Sequence, residues 1–110
     1  ALRALGEAAS GGPGNIGVAA LAGPGVGHDV VTRFFAPGSG IPEDPTTGSL
    51  YCLLTPLFAA RLQRNTIRFH QAYPGRGGDL ECVQAGDGRV LIRGRAVTVA
   101  ESLLRLHPAS

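Results

Sequence analysis

The sequence predicts an α+β domain in which an antiparallel, barrel-like sheet is wrapped around one central buried helix. Seventeen glycines and eight prolines among 110 residues indicate many turns, and therefore short strands rather than a helical bundle. Residues 48–64 are apolar on almost every side, which is typical of a buried helix. The residues that follow alternate between apolar and polar side chains, as strands with one covered face do.

The elements are predicted in chain order from these local patterns. Residues 1–9 have a helix-forming composition, and the Gly- and Pro-containing segment after them ends that helix. Strands are predicted for residues 15–22, 28–37, 66–71, 79–83, 89–93 and 96–101. The sequence AGDG at 85–88 predicts a hairpin turn.

The helix at 48–64 is expected to form the centre of the fold. Its large apolar side chains lie on nearly all sides, and they are Leu50, Leu53, Leu54, Leu57, Phe58 and Leu62. Burying a side chain of this size contributes about 1.5–3 kcal/mol, so the strands are expected to cover the helix from every direction. Pro56 lies within the segment and predicts a kink or a break in the helix.

Length and composition indicate one small globular domain. A chain of 110 residues is expected to form a single domain, residues 1–110, with one modest core. Hydrophobic residues make up 44% and charged residues 16%, which argues against disorder. The ten basic residues are all Arg and are dispersed, and the net charge is only +2, so no nucleic-acid partner is expected.

The sequence also indicates a compartment. No apolar run reaches the roughly 20 residues that a membrane helix requires, so no membrane partner is expected. Cys52 and Cys82 lack the spacing of a metal site, and no secretory signal precedes them. We therefore expect two free thiols in a reducing, cytoplasmic environment. The chain begins without Met, so we expect that it was cut or starts within a longer protein.

The loop before the long helix carries the strongest candidate site, with the sequence GIPEDPTTGS at 40–49. Pro42 and Pro45 push the residues before them into extended backbone, so the loop is stiff. Gly48 permits the close approach of a ligand to the backbone, and Ser49 lies where the helix starts. The N–H groups of a first helical turn bind anions, because they lack partners within the helix.

Asp44 lies just upstream of this anion site. A carboxyl group beside such a site suits proton transfer on a small carboxylate substrate. From the spacing alone, the alternative is that an Asp or Thr only caps the helix and that Gly48 only makes the turn. The loop is not a phosphate-binding Walker loop, because it lacks the Gly-Lys-Ser/Thr ending.

Neighbouring charged residues leave several roles open. Glu43 adjoins Asp44, and paired carboxylates can act as acid and base, but a solvated surface position is the commoner one for such a residue. Arg33 could pair with Asp44 or with Glu43. Arg76 lies in the glycine loop 73–78, where it could bind a carboxylate or be solvated.

The remaining reactive side chains show no pattern that indicates a site. The histidines lack metal-ligand spacing, so we expect no metal site and expect structural or exposed roles for His28, His70 and His107. Cys82 is expected to be a small core residue within a strand. Tyr51 and Tyr73 give no diagnostic pattern.

The segment VVTRFFAPGSGIPEDPTTGSLYCLL, which begins at Val30, resembles the signature of the phenazine-biosynthesis (PhzF-like) isomerase family. The later segments QAYPGRGGDLECV and RVLIRGRAVTV are similar to the glycine loop and the closing strands of that family. The resemblance covers roughly residues 28–101, in order. It implies most of the C-terminal half of a diaminopimelate-epimerase-like fold, in which each of two halves surrounds a central helix and the active site lies between them.

The resemblance also implies a chemistry. Members of the family isomerise small carboxylic acids by acid–base proton transfer without a cofactor. By position, Asp44 resembles the catalytic aspartate, and Gly48 and Ser49 resemble the residues that bind the substrate carboxylate. Thr47 stands where related epimerases have a catalytic Cys, so racemisation by two cysteines is not expected.

A complete member of the family is more than twice as long as this chain, and its principal catalytic glutamate lies in the first half. No glutamate of this chain matches that position. We therefore expect isomerase activity only together with an N-terminal half-domain. The alternative is a non-catalytic remnant or a small-carboxylate-binding module that associates with itself, for example as a homodimer.

Overall fold

The structure, a computed structural model, describes residues 2–12 and 14–108. In chain order its elements are α1 (Leu2–Ser10), β1 (Ile16–Leu21), β2 (Val30–Phe35), a 3-10 turn (Pro37–Ser39), α2 (Leu50–Leu62), β3 (Thr66–Gln71), β4 (Gly78–Gln84) and β5 (Val90–Arg93). The predicted first helix is confirmed over the described residues, and residue 1 lies outside them. Neither helix of the described residues is both long and apolar enough to cross a membrane.

The five strands form one mixed sheet in the order β1-β2-β3-β4-β5. β1 pairs antiparallel with β2, and the meander β3-β4-β5 is antiparallel as well. β2 and β3, however, are parallel. The predicted all-antiparallel sheet is therefore wrong at this pairing. α2, rather than a hairpin, connects the two strands, and this connection brings the chain back to the edge of the sheet where β2 begins, so that β3 runs in the same direction as β2.

The hairpin predicted at 85–88 is confirmed between β4 and β5. Ala85 N–H donates to the carbonyl oxygen of Arg89 at 2.8 Å, and Gly88 N–H donates to that of Ala85 at 3.3 Å. Gly88 has a φ of 80°, a left-handed conformation that glycine adopts without steric cost. This turn brings β5 back along β4 and extends the sheet by one strand.

α2 covers one face of the sheet. The core between them contains apolar residues from the helix and from β2, β3 and β4, which are Val30, Leu50, Tyr51, Phe58, Ile67, Phe69, Leu80 and Cys82. Pro56 lies within α2 without ending it. The structure does not show a helix covered from every direction, because Leu53 is 75% exposed and Leu57 is 51% exposed. In this chain the sheet lies on one side of the helix only.

The predicted strand at 96–101 is absent. Residues 94–108 continue beyond β5 without regular secondary structure, and they are exposed. The apolar side chains of this segment are exposed too, and they are Val97, Val99, Leu103, Leu104 and Leu106. Alternating sequence is insufficient for a strand, which also needs a neighbouring strand to supply its backbone hydrogen bonds.

Candidate active site

The loop between β2 and α2 folds back against the end of β2. Ile41 N–H donates to the carbonyl oxygen of Ala36 at 3.3 Å, and Asp44 N–H donates to that of Phe34 at 2.9 Å. The second of these bonds forms an isolated antiparallel bridge. Asp44 is therefore attached to the sheet through its backbone, immediately ahead of the helix that follows.

Asp44 is held at its side chain by Thr47 and at its backbone by Gln71. The Thr47 hydroxyl donates a hydrogen bond to Asp44 Oδ2. Gln71, the last residue of β3, donates from Nε2 to the Asp44 carbonyl oxygen at 2.9 Å and to Thr47 Oγ1 at 3.0 Å. Thr47 N–H in turn donates to Gln71 Oε1 at 2.8 Å. One strand end thus fixes both the aspartate and the threonine.

This arrangement continues into the core. The Tyr51 hydroxyl donates to Gln71 Oε1 at 2.8 Å, and Thr32 Oγ1 lies 2.8 Å from the same hydroxyl. All three residues are buried. Burial raises the pKa of Tyr51 to about 12, so the phenol keeps its proton at neutral pH.

Sequence reasoning missed Gln71 and the supporting role of Tyr51. A signal for Gln71 was present, because the period of two along β3 places it on the same inward face as Ile67 and Phe69. A polar residue at an inward position must find hydrogen-bond partners within the protein. Such a residue beside a candidate site is a candidate for supporting that site.

Glu43 has a structural partner. Its side chain is buried and accepts two hydrogen bonds from Arg33, at 2.8 Å from Nε and 2.6 Å from Nη2. These bonds hold the pKa of Glu43 below its usual value of 4.5. The predicted solvated surface position of Glu43 is therefore wrong. The sequence left open whether Arg33 pairs with Asp44 or with Glu43, and the structure shows the pair with Glu43.

The open backbone donors lie just before α2. The N–H groups of Leu50, Tyr51 and Cys52 are used in turns, since they donate to the carbonyl oxygens three residues earlier. Within the described residues, the N–H groups of Gly48 and Ser49 have no hydrogen-bond acceptor, and both residues are exposed. The available donors are thus those of the residues that precede the helix.

The structure does not show the capping role that the spacing left open. The Ser49 side chain makes no capping hydrogen bond to α2. The Asp44 carboxylate accepts its hydrogen bond from the Thr47 side chain rather than from a helical N–H group. The polar side chains of the loop therefore bond to one another rather than to the start of α2, which has no side-chain cap.

The glycine loop 73–78 packs against the loop of Asp44. A Cβ atom on Gly78 would lie 2.5 Å from Thr46 Oγ1, and one on Gly77 would lie 2.0 Å from the Gln71 carbonyl oxygen. Both positions therefore need glycine. Arg76 is exposed in this loop and has no ion-pair partner in the part of the chain that the structure describes, so its role as a carboxylate ligand stays a prediction.

The other titratable side chains lie apart from this arrangement. His70 Nδ1 is 2.6 Å from Asp79 Oδ1, and the rings of His28 and His70 lie 5.3 Å apart between centroids. Across residues 2–12 and 14–108, no three His, Cys, Asp or Glu side chains are placed to hold a metal ion. Cys52 and Cys82 are both free, and the predicted core position of Cys82 is confirmed.

Comparison with known proteins assigns the chain to a family. Residues 11–102 match the sequence model of the PhzC–PhzF family, described as phenazine biosynthesis-like protein. The chain belongs to the phenazine biosynthesis-like family. The resemblance found in the loop of Asp44 and in the strands after α2 is thereby confirmed.

The relatives are considerably longer than this chain. An uncharacterised isomerase of Pseudomonas aeruginosa is 46% identical over 82 residues, which are 74% of this chain and 31% of that protein. Phenazine biosynthesis-like domain-containing protein 1 of Mus musculus is 42% identical over 77 residues, 70% of this chain and 26% of that protein. The chain thus spans about a third or less of the length of these relatives.

Solved structures of the family are similar in fold. A phenazine biosynthesis PhzC/PhzF protein from Clostridium difficile matches with a TM-score of 0.70 and 30% identity, over 84% of this chain and 34% of that chain. A PhzF-family protein from Enterococcus faecalis matches with a TM-score of 0.58 and 32% identity, over 76% and 34%. The mixed sheet and its helices therefore form part of a fold known in this family.

Proposed function

We propose that this chain is most of the C-terminal half of a cofactor-independent isomerase that acts on a small carboxylic acid by acid–base proton transfer. The observation that carries the proposal is the Asp44 carboxylate, held at one oxygen by Thr47, in the same loop as the open N–H groups of Gly48 and Ser49. A proton-transferring group and an anion-binding group are the two components that this chemistry needs.

Each component has a role in the proposed reaction. The N–H groups of Gly48 and Ser49 bind the substrate carboxylate, and they lie on a loop whose backbone is already fixed, so little reorganisation accompanies binding. Asp44 exchanges a proton with a neighbouring carbon of the substrate. A second acid–base group makes the opposite proton transfer at a different position. One C–H bond breaks, another forms and an electron pair moves between the two positions, which is the net change in an isomerisation.

The second group is proposed to come from an N-terminal half-domain. The family resemblance places a glutamate there, and the relatives are long enough to contain such a half. In the assembled enzyme we propose that the barrel-like sheet closes around α2 and covers Leu53 and Leu57, which are exposed in this chain. Closure excludes water from the cleft, which strengthens the interactions of Asp44 with the substrate.

Proton exchange into the substrate tests the proposal. The chain is mixed with the first-half domain of the Pseudomonas aeruginosa relative in D₂O, and NMR measures deuterium incorporation into a panel of small carboxylic acids. Asp44→Asn should slow incorporation by roughly 10²–10⁴-fold, because general acid–base catalysis contributes on that order. Asp79→Asn is the matched control, since that carboxylate is exposed and is bonded to His70 rather than to the loop of Asp44.

Two results would contradict the proposal. Undiminished incorporation with Asp44→Asn would remove this carboxylate from the mechanism. If no mixture of the two halves incorporated deuterium while both were folded by circular dichroism, the two-half arrangement would be wrong.

As a second candidate, we propose a non-catalytic module that binds a small carboxylate and associates with itself. The exposed apolar side of α2 favours this alternative, because such surface promotes association. Analytical ultracentrifugation at micromolar concentration should then show a dimer, which Leu53→Gln weakens while the unfolding free energy of the monomer changes by less than about 0.5 kcal/mol. A monomer at every concentration would contradict this candidate.

A further inference from the structure

A chain of polar groups runs from the core to Asp44. Its members, in order, are Thr32, Tyr51, Gln71, Thr47 and Asp44. The first three links measure 2.8, 2.8 and 3.0 Å, and the last is the hydrogen bond from the Thr47 hydroxyl to Asp44 Oδ2. The central member, Gln71, is completely buried, so its amide satisfies its donors and acceptors within the protein.

Two backbone groups determine the orientation of the Gln71 amide. Thr47 N–H can only donate, and it lies 2.8 Å from Oε1. The Asp44 carbonyl oxygen can only accept, and it lies 2.9 Å from Nε2. If the amide were flipped, its NH₂ group would face the Thr47 N–H and its oxygen would face the Asp44 carbonyl oxygen, and neither contact could be a hydrogen bond. The amide therefore has one orientation, which follows from heavy atoms alone.

That orientation directs the hydroxyl protons along the chain. The single Tyr51 proton is used on Gln71 Oε1, so Tyr51 accepts the proton of the Thr32 hydroxyl. On the other side, Gln71 Nε2 donates to Thr47 Oγ1, and the Thr47 proton is left to point at Asp44 Oδ2. On the core side, Thr32 thus donates to Tyr51 and Tyr51 donates to Gln71 Oε1. On the loop side, Gln71 Nε2 donates to Thr47, and Thr47 donates to the Asp44 carboxylate.

We infer that Gln71 is a positioning residue that, through Thr47, orients Asp44 so that the proton it exchanges is carried on Oδ1. The Thr47 hydroxyl can donate to Oδ2 whether Asp44 is ionised or carries its proton on Oδ1, so Thr47 occupies Oδ2 and restrains rotation of the carboxyl group. Oδ1 has no hydrogen-bond partner among the described residues and remains for the substrate. This inference rests on the proposed function, because it assigns the oxygen with which Asp44 handles the proton.

NMR of the isotope-labelled chain alone tests the hydrogen-bond direction without any need for activity. Both Gln71 side-chain N–H protons and the Thr47 hydroxyl proton should exchange slowly with solvent, and scalar coupling should connect Gln71 Nε2 with the Asp44 carbonyl carbon. The exposed Gln63 side chain is the internal control for fast exchange. Exchange of the Gln71 protons as fast as those of Gln63, or coupling absent between Nε2 and that carbonyl carbon, would overturn the inference.

The assembled two-half enzyme tests the positioning role. Thr47→Val removes the hydroxyl and keeps the side-chain shape, so kcat should fall by up to about 10²-fold, the cost of a misplaced catalytic group, with little change in KM. Thr47→Ser returns the hydroxyl and should restore most of the loss. Thr55→Val is the control, since that buried hydroxyl of α2 has no oxygen or nitrogen partner among the described residues and should leave kcat unchanged.

A merely structural role predicts a different pattern. Thr47→Ser would then fail to rescue, or KM would rise with kcat unchanged, and either result would overturn the positioning role. The proposed function fails separately, because inactive mixtures together with a slowly exchanging Thr47 proton would contradict the isomerase and leave the hydrogen-bond direction established.

Discussion

The two faces of α2 are equally apolar in sequence and differ in environment. On the inner face, Tyr51 and Phe58 belong to the core between helix and sheet. On the outer face, Leu53 and Leu57 are mostly exposed. The sheet lies on one side of the helix, so the angular position of a residue around the helix axis decides its burial. Apolar composition shows that a helix needs cover, whereas the position of the sheet determines which side receives it.

The inner face carries two buried hydroxyl groups, of Tyr51 and Thr55, that differ in their hydrogen bonding. The Tyr51 hydroxyl belongs to the polar chain that reaches Asp44 through Gln71 and Thr47. The Thr55 hydroxyl is equally buried and lies beside the Cys82 thiol, a weak hydrogen-bonding group, and it has no oxygen or nitrogen partner among the described residues. The two buried hydroxyl groups are therefore expected to contribute differently to stability, because only that of Tyr51 belongs to the series of hydrogen bonds that reaches Asp44.

Two adjacent residues of α2, one in the core and one half-exposed, provide the most direct test of the comparison. Phe58→Ala should lower the free energy of unfolding by about 3–5 kcal/mol, because it removes a buried ring and leaves a cavity. Leu57→Ala should change it by less than about 0.5 kcal/mol. Urea unfolding followed by circular dichroism measures both values. Equal losses would show that the outer face is covered in solution.

Alkaline pH should lower the free energy of unfolding through the buried Tyr51 phenol on the inner face of α2. Burial raises the pKa of Tyr51 from 10.0 to about 12. The unfolded chain ionises this phenol near pH 10 and the folded chain only near pH 12, so the stabilisation is complete below pH 10 and is lost as the pH rises through 12. A shift of this size corresponds to roughly 2–3 kcal/mol.

The comparison of wild type with Tyr51→Phe isolates this effect. Urea unfolding of both proteins between pH 9 and 12 should show the wild type losing its stability relative to Tyr51→Phe. Burial also raises the pKa of Cys82, but that thiol is present in both proteins and cancels from the difference. A difference that stays constant across this range would contradict the prediction.

The smallest expected effect separates the two kinds of buried hydroxyl. Thr32→Val removes the donor to the Tyr51 hydroxyl and should cost about 1–2 kcal/mol of unfolding free energy. Thr55→Val should be nearly neutral or slightly stabilising, because it removes a hydroxyl without an oxygen or nitrogen partner in the described chain. Thermal or urea unfolding measures the stability of both variants. A larger loss of stability for Thr55→Val than for Thr32→Val would contradict the proposed difference between the two hydroxyl groups.

Local sequence predicted the elements well where a pattern was complete within a few residues. The bounds of β3 agree with the predicted strand at 66–71, since alternation around Ile67 and Phe69 is visible directly. The strand at 96–101 was predicted from a similar alternation and is absent. The parallel pairing of β2 with β3 was not predicted, because alternation carries no information about strand direction.

The candidate site was predictable to a similar degree. Asp44, Gly48 and Ser49 stand in one short loop, and their types and spacing indicated an acid beside an anion site. Gln71 was missed because it is 24 residues from Thr47 in the chain and meets it only in the folded structure. Glu43 was misplaced for the same reason, since its partner Arg33 lies on the preceding strand.

The sequence by itself determined the family, the order of the helices and of the first five strands, and the stiff loop that carries Asp44, because these depend on residues that are neighbours in the chain. Only the tertiary structure decided that Leu53 is exposed while Phe58 is buried, and that the Gln71 amide directs a proton of Thr47 to the carboxylate. Burial and hydrogen-bond direction depend on groups that are distant in sequence, and folding alone brings those groups together.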